Sequence, residues 1–118
     1  MDRQQVRSLR QLGLVMAVAW GLSVIISQWL QSRQADDLRA VVKPGELVML
    51  SSTTCSVCAH ARQWFAKQNI PYRECVIETE PQCAAQFKAM GAVGTPTFVV
   101  RGRTMTGFDP AALRGLFP

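Results

Sequence analysis

Apolar and polar positions divide the chain into two regimes. Residues 12–30, LGLVMAVAWGLSVIISQWL, carry no charged side chain; Ser23, Ser27 and Gln28 are the polar members. An apolar run of this length crosses the hydrocarbon of a bilayer as a helix, and Trp29 near its far end suits the membrane interface. A cleaved signal peptide would need small residues just before the cut. For a cut after Ala35, Arg33 occupies one of those positions. The expectation is therefore an uncleaved anchor at 12–30, preceded by a cytoplasmic tail at 1–11. Residues 31–45 read as a juxtamembrane linker or short helical extension closing on Pro44-Gly45, and 46–118 as a folded domain.

Within that domain the periodicity alternates. ELVMLS at 46–51 is a short apolar run suited to a buried strand. Over 56–69, Val57, Ala61, Trp64 and Phe65 recur at helical spacing and predict one packed face. YRECVI at 72–77 predicts the next strand. Thr79 predicts the cap of a helix beginning near Pro81, with Gln82 closing a capping box. Cys83, Phe87 and Met90 mark the inner face of that helix, and Gly91 its stop. Thr97 to Val100 reads as a strand after a sharp turn allowed by Gly94. Arg101-Gly102 permits a turn, and 103–106 returns antiparallel. Pro110 opens a final short helix with Leu113, Leu116 and Phe117 available to pack. The order β-α-β-α-β-β-α predicts an α/β fold. A helix between the first two strands favours parallel pairing, and a tight turn between the last two favours a hairpin. The compact solution is a four-stranded mixed sheet flanked by helices, with the marginal core of a small domain.

Charge changes this picture in two places. The formal net charge is +5, from 13 Lys and Arg against 8 Asp and Glu. More than half of it flanks the apolar run, where basic groups meet anionic lipid. Residues 46–118 are nearly balanced and show no basic stripe interleaved with aromatics, which sets nucleic-acid binding aside. Arg3, Arg7 and Arg10 cluster before the run; Arg33, Arg39 and Lys43 follow it, diluted by Asp36 and Asp37. That bias favours an N-terminus in the cytoplasm. The expectation is a single-pass inner-membrane protein with a periplasmic domain.

The candidate chemistry lies at Cys55-Ser56-Val57-Cys58, where a buried strand gives way to a helix. Cys55 at the helix N-terminus meets free N–H groups and the positive end of the macrodipole, which raise its thiolate fraction. Cys55 is expected to attack a substrate disulfide, and the more buried Cys58 to resolve the mixed disulfide. A half zinc site and a purely structural disulfide are the competing readings. Zinc would need Cys75 and Cys83, whose separation is unlike the short second knuckle of such sites. A disulfide closing so small a loop contributes little stability. His60 reads as an ordinary helix residue or as a proton relay, and Trp64 and Phe65 as core. Cys75 and Cys83 are left as two reduced thiols, a second disulfide, or part of a metal site.

Three marks in order, Cys55-Ser56-Val57-Cys58 after a strand, Gly94-Thr95-Pro96 before a strand and Thr106-Gly107-Phe108-Asp109 ahead of the last helix, carry a resemblance. Over residues 46–117 the chain resembles the glutaredoxins and glutaredoxin-like members of the thioredoxin superfamily. The resemblance implies a thioredoxin-like fold and thiol–disulfide oxidoreductase activity. It implies a cis Pro96 facing the active cysteine and a Thr95 backbone offered to substrate. Thr54 and Gly107 fall among the substrate-contacting positions, and Phe108 and Asp109 at positions that hold the far end of glutathione. Asp109 also reads as the N-cap of the last helix. No bound cofactor or metal is implied; glutathione enters as a candidate reductant or co-substrate. The chain departs from the family at Ser56-Val57, which replace Pro-Tyr, at Thr106, which replaces a glycine, and at the uncharged Ser51 to Thr54, where a lysine is familiar. These departures make a protein dithiol or disulfide as good a partner as glutathione. The contrasting functions are a non-catalytic thioredoxin-like binding or metal-handling module and a structural subunit of a membrane complex. Neither would need a resolving Cys58.

Overall fold

The computed structural model describes residues 2–118 and resolves into two compact units, the first ending at Arg33 and the second running Gln34–Pro118. Helix α1, Arg3–Val41, begins in the first and ends in the second. In the first unit it is exposed throughout its apolar stretch. By length and composition it can cross a membrane; residues 12–30 alone rise about 28 Å, close to the thickness of bilayer hydrocarbon. At the end of that stretch the Arg33 guanidinium lies 4.0 Å from the centroid of the Trp29 ring, one helical turn away. This cation–π pair joins an amphipathic ring to a charge that belongs in water.

The second unit holds β1 (Leu47–Ser51), α2 (Ser56–Gln68), β2 (Arg73–Val76), α3 (Pro81–Ala89), β3 (Thr97–Val100), β4 (Arg103–Thr106) and α4 (Pro110–Arg114). The sheet order is β2-β1-β3-β4. β1 and β2 run parallel with Leu50 beside Cys75 and Ser51 beside Val76. β1–β3 and β3–β4 are antiparallel. The expected four-stranded mixed sheet therefore forms, in a thioredoxin-like arrangement. Arg101 and Gly102 both take positive φ, 49° and 80°, as a two-residue hairpin turn with the strands' own twist requires.

Alternation along the strands sorts the two faces. Leu47 and Met49 of β1 sit opposite Val100 and Phe98 of β3, and all four are buried on the face that receives Ala61 and Phe65 of α2 and Leu113 of α4. The other face is smaller. Leu50, Cys75 and Cys83 form its centre, with Phe87 of α3 and Met90 at its C-cap packed around them. α2 stops at Asn69 in the left-handed region (φ 54°), where the Ile70 N–H returns to the Phe65 carbonyl at 3.0 Å. α3 stops at Gly91 (φ 66°), as its glycine predicts.

Two expectations change, and of the two readings of residues 31–45 one forms. The start of α3 is capped at Glu80, not Thr79, and no capping box forms. Glu80 instead turns its carboxylate back to accept the Val76 N–H at 2.9 Å. Gly94 has no positive φ, and a Cβ there would meet only Thr106 Cγ2 at 3.7 Å, so the turn does not require glycine. Over residues 31–41 the helical extension forms, as the continuation of α1, in place of a free linker. Ala35, Leu38 and Val42 are buried, and Leu38 and Val42 belong to the main core. Arg39 donates from Nε and Nη2 to the Gln68 carbonyl, at 2.9 and 2.7 Å, which secures the end of α1 to the end of α2.

Leu38→Ala should accordingly lower the stability of the domain by about 2–5 kcal/mol, in the range expected for Leu47→Ala, by loss of transfer energy and creation of a cavity. Substitution of the exposed Ala40 by Ser should change it by less than about 0.5 kcal/mol. Hydrogen exchange of β1 and β3 amides in the full chain in detergent measures both. Unchanged protection in Leu38→Ala would mean that this segment is not part of the core.

Candidate active site

β1 delivers the chain into a short turn, and the turn delivers Cys55 to the start of α2. Cys55 is the N-cap residue, with φ −89° and ψ 109°, and its Sγ accepts the Cys58 N–H at 3.0 Å. An N-cap side chain ordinarily supplies an oxygen to this orphan donor; here a sulfur does. The two cysteines are joined as a disulfide with Cα atoms 5.2 Å apart. Cys55 is half-buried, whereas Cys58, one turn further, is fully buried. When the pair is reduced, the N–H that meets Sγ favours the thiolate of Cys55 over that of Cys58. The N–H contact and the exposure thus coincide on one sulfur.

The wall facing the pair comes from the segment before β3. The Thr95 carbonyl oxygen lies 3.4 Å from Cys55 Sγ, where a reduced Cys55 thiol can donate to it. The Thr95–Pro96 bond is cis, and Pro96 is buried. The Gly107 N–H donates to the Pro96 carbonyl at 2.8 Å. Gly107 does so at φ 89°, a conformation that favours glycine. Thr97 Oγ1 donates to the Gly94 carbonyl at 2.7 Å and ties the same segment to the strand behind it.

The remaining expected site residues take more structural places. The Phe108 ring packs edge-on against His60 and Trp64, at 5.8 and 5.5 Å between centroids, and against Phe65 at 5.6 Å. This cluster binds the start of α4 to α2, and it gives His60 a packing role. Asp109 caps α4: its Oδ1 accepts from the N–H groups of Ala111 and Ala112 at 3.0 and 3.5 Å. Thr54 is exposed on the turn, its N–H 3.4 Å from Ser52 Oγ. Cys55, Cys58 and Thr95 are therefore brought together directly, Pro96 and Gly107 stand behind Thr95, and Phe108 packs on α2 through His60, Trp64 and Phe65.

Two acids were not foreseen. Glu78 accepts from Ser52 Oγ and, through Oε2, from the Thr53 N–H at 3.2 Å. Ser52 in turn holds Thr54, and its carbonyl accepts the Cys55 N–H at 3.3 Å. Glu74 Oε1 accepts from Ser51 Oγ at 2.7 Å and from Arg62 Nε at 2.6 Å, joining β1, β2 and α2 beneath the turn. Both acids reach the site through the parallel register of β1 and β2, which aligns Ser51 with Val76. No local spacing announces that contact.

Comparison with known proteins places this geometry. The glutaredoxin family model matches residues 47–105, half of the chain. Among solved structures, a mutant of the thioredoxin-like protein BC3987 superposes with a TM-score of 0.54 at 19% identity, covering 60% of this chain and 92% of that one. The glutaredoxin from Archaeoglobus fulgidus superposes with a TM-score of 0.50 at 15% identity, covering 61% and 85%. At these identities the likeness is one of fold. A search of curated proteins finds no match.

The turn carries a pH signature of its own. The hydrogen bond from Ser52 holds the Glu78 carboxyl below its ordinary value of 4.5, with the N–H of Thr53 acting in the same direction and partial desolvation opposing. A depressed carboxyl contributes to order above its ordinary pKa and loses that contribution as pH falls through the depressed one. The Thr53 amide should therefore titrate with a midpoint below 4.5. In Glu78→Gln that titration should vanish. Amide chemical shifts against pH decide it; a Thr53 titration that persists in the variant would remove Glu78 from the turn.

Proposed function

The chain belongs to the glutaredoxin family, and on that premise we propose that it is a thiol–disulfide oxidoreductase acting on protein or glutathione-mixed disulfides through Cys55 and Cys58. The observation that carries the reading is the capping geometry: Cys55 Sγ receives the Cys58 N–H at 3.0 Å while Cys58 itself is buried.

The reaction follows from this division. In the reduced protein the Cys55 thiolate attacks one sulfur of a substrate disulfide. A Cys55–substrate bond forms, the substrate S–S bond breaks, and the departing thiolate takes a proton. Cys58 then gives up its proton and attacks Cys55 Sγ. The mixed disulfide breaks, the second substrate thiol leaves, and the Cys55–Cys58 disulfide remains. Two electrons have passed to the substrate. Run backwards, the same steps oxidise a dithiol.

Thr95 supports docking in this reading. Its carbonyl stands 3.4 Å from Cys55 Sγ, so an extended substrate backbone laid along residues 94–96 would present its sulfur to Cys55. Val57, 45% exposed between the two cysteines, and Val93, 91% exposed before Gly94, give the rim an apolar character. That rim suits a protein partner. Glutathione is retained as the alternative co-substrate through the family relationship, and the protein itself needs no bound cofactor for the exchange.

The apolar part of α1 extends the proposal to location. Residues 12–30 contact membrane lipid as a single-pass inner-membrane anchor, and the arginines at 3, 7 and 10 keep the N-terminus cytoplasmic and the redox domain periplasmic. The partner is then a disulfide or dithiol within reach of the membrane surface.

Cys58→Ser should accumulate a mixed disulfide on Cys55 after exposure to an oxidised peptide or glutathione, whereas Cys55→Ser should trap nothing. Mass mapping of the adducts reads this out, and an adduct found on Cys58 in a Cys55→Ser protein at equal rate would reverse the roles. In intact spheroplasts, added protease should digest residues 46–118. Protection until lysis would place the domain in the cytoplasm.

A further inference from the structure

The second cysteine pair lies outside the chemistry described so far. Cys75 on β2 and Cys83 in the first turn of α3 form a disulfide, with Cα atoms 5.5 Å apart. Both residues are buried, at 1% and 0% exposure. Cys83 is the one buried residue of α3, so the attachment of that helix to the sheet is concentrated at this link. Beside it stands Glu80. One ligand atom from each of Cys75, Glu80 and Cys83 lies within 4.8 Å of the other two.

We propose that, once reduced, Cys75 and Cys83 together with Glu80 bind a thiophilic divalent cation such as Zn2+, which replaces the disulfide as the link between β2 and α3. Two thiolates and a carboxylate form a donor set that selects zinc over calcium or magnesium. Bond lengths of about 2.0–2.3 Å in a tetrahedral zinc site place ligand atoms roughly 3.3–3.8 Å apart, inside the 4.8 Å that spans these three groups. The surroundings are built for it. The Glu80 carboxylate is already oriented, because its Oε2 accepts the Val76 N–H at 2.9 Å and leaves Oε1 free. The Arg73 guanidinium comes to 4.0 Å from Cys75 Sγ, and the N-terminus of α3 lies at Cys83; both favour thiolates. The fourth coordination position is left to water.

The exchange balances. An external dithiol transfers two electrons and two protons to the Cys75–Cys83 bond and leaves as its own disulfide. The cation then displaces both thiol protons and forms two metal–sulfur bonds. The residues involved are distinct from Cys55 and Cys58, so the site stands or falls independently of the oxidoreductase reading.

The test uses the full chain in detergent with Cys55→Ser and Cys58→Ser, reduced by a phosphine that is then removed. Zn2+ titrated against a chromophoric chelator should bind one ion per chain. The oxidised protein should bind none. Glu80→Gln should weaken binding by about 10–100-fold, as loss of a metal-supporting group does, and Cys83→Ser should abolish it. Because Cys83→Ser could unfold α3, a second measurement uses the reduced parent: Zn2+ should protect Cys75 and Cys83 from alkylation. Failure of the folded, reduced chain to take up Zn2+, or alkylation of both thiols at the same rate with and without it, would overturn the proposal.

Discussion

The site depends on one hydrogen bond, from the Cys58 N–H to Cys55 Sγ, and on the packing that keeps it in place. A helix start must satisfy its first N–H groups. Where Ser, Thr, Asp or Asn would close the end with an oxygen, a cysteine closes it with its sulfur. The cap and the proposed nucleophile are the same group, so the helix cannot begin here without setting the partial positive charge of an N–H against the sulfur. α2 cannot easily shift to relieve this, because Ala61 and Phe65 are fully buried against Met49 and Phe98 of the sheet. Backbone termination, core packing and thiol acidity are therefore one constraint seen at three scales.

The surrounding structure supplies what so small a sheet lacks. Four short strands bury two unequal clusters, and the domain extends its larger core by borrowing Leu38 and Val42 from the end of α1 and just beyond it. The smaller cluster compensates differently. It has few large side chains, and a covalent bridge joins its helix to its strand. Each face is thus completed by something outside the minimal strand–helix pattern, as expected of a chain whose core is near the lower size limit.

What could be read from the sequence was what short-range chemistry determines. The Cys55 cap, the Asp109 cap, the Gly91 stop and the Arg101-Gly102 turn each depend on a residue and its immediate neighbours. The parallel pairing of β1 with β2 and the β3–β4 hairpin followed from element order and connection length. Long-range register was not legible. Glu78 grips Ser52 and Thr53 only because β1 and β2 align in parallel, and no spacing along the chain encodes that meeting. Thr79 and Gln82 fit a capping box, yet Glu80 takes the N-cap position without a side-chain cap bond, its carboxylate instead satisfying the last N–H of β2. The end of α1 was ambiguous for another reason. Ala35, Leu38 and Val42 do recur at helical spacing, but Asp36, Asp37, Arg39 and Lys43 between and beside them give the segment the composition of a linker.

The two cysteine pairs show that burial, more than spacing, sorts thiol chemistry in this fold. Both pairs place a cysteine near a helix N-terminus, and both have Cα atoms within 6 Å, at 5.2 and 5.5 Å. Helix electrostatics alone would therefore make both reactive. They differ in access. Cys55 leaves its sulfur at the surface beside the Thr95 backbone, so an outside disulfide can approach in line. Cys75 and Cys83 are both sealed beneath α3, so attack there first requires the helix to lift. A reductant that meets the folded chain should thus open the first pair through direct contact and the second only through local unfolding. On the proposed function, the same electrostatic device would give an exchange site where solvent reaches it and a structural link where it does not.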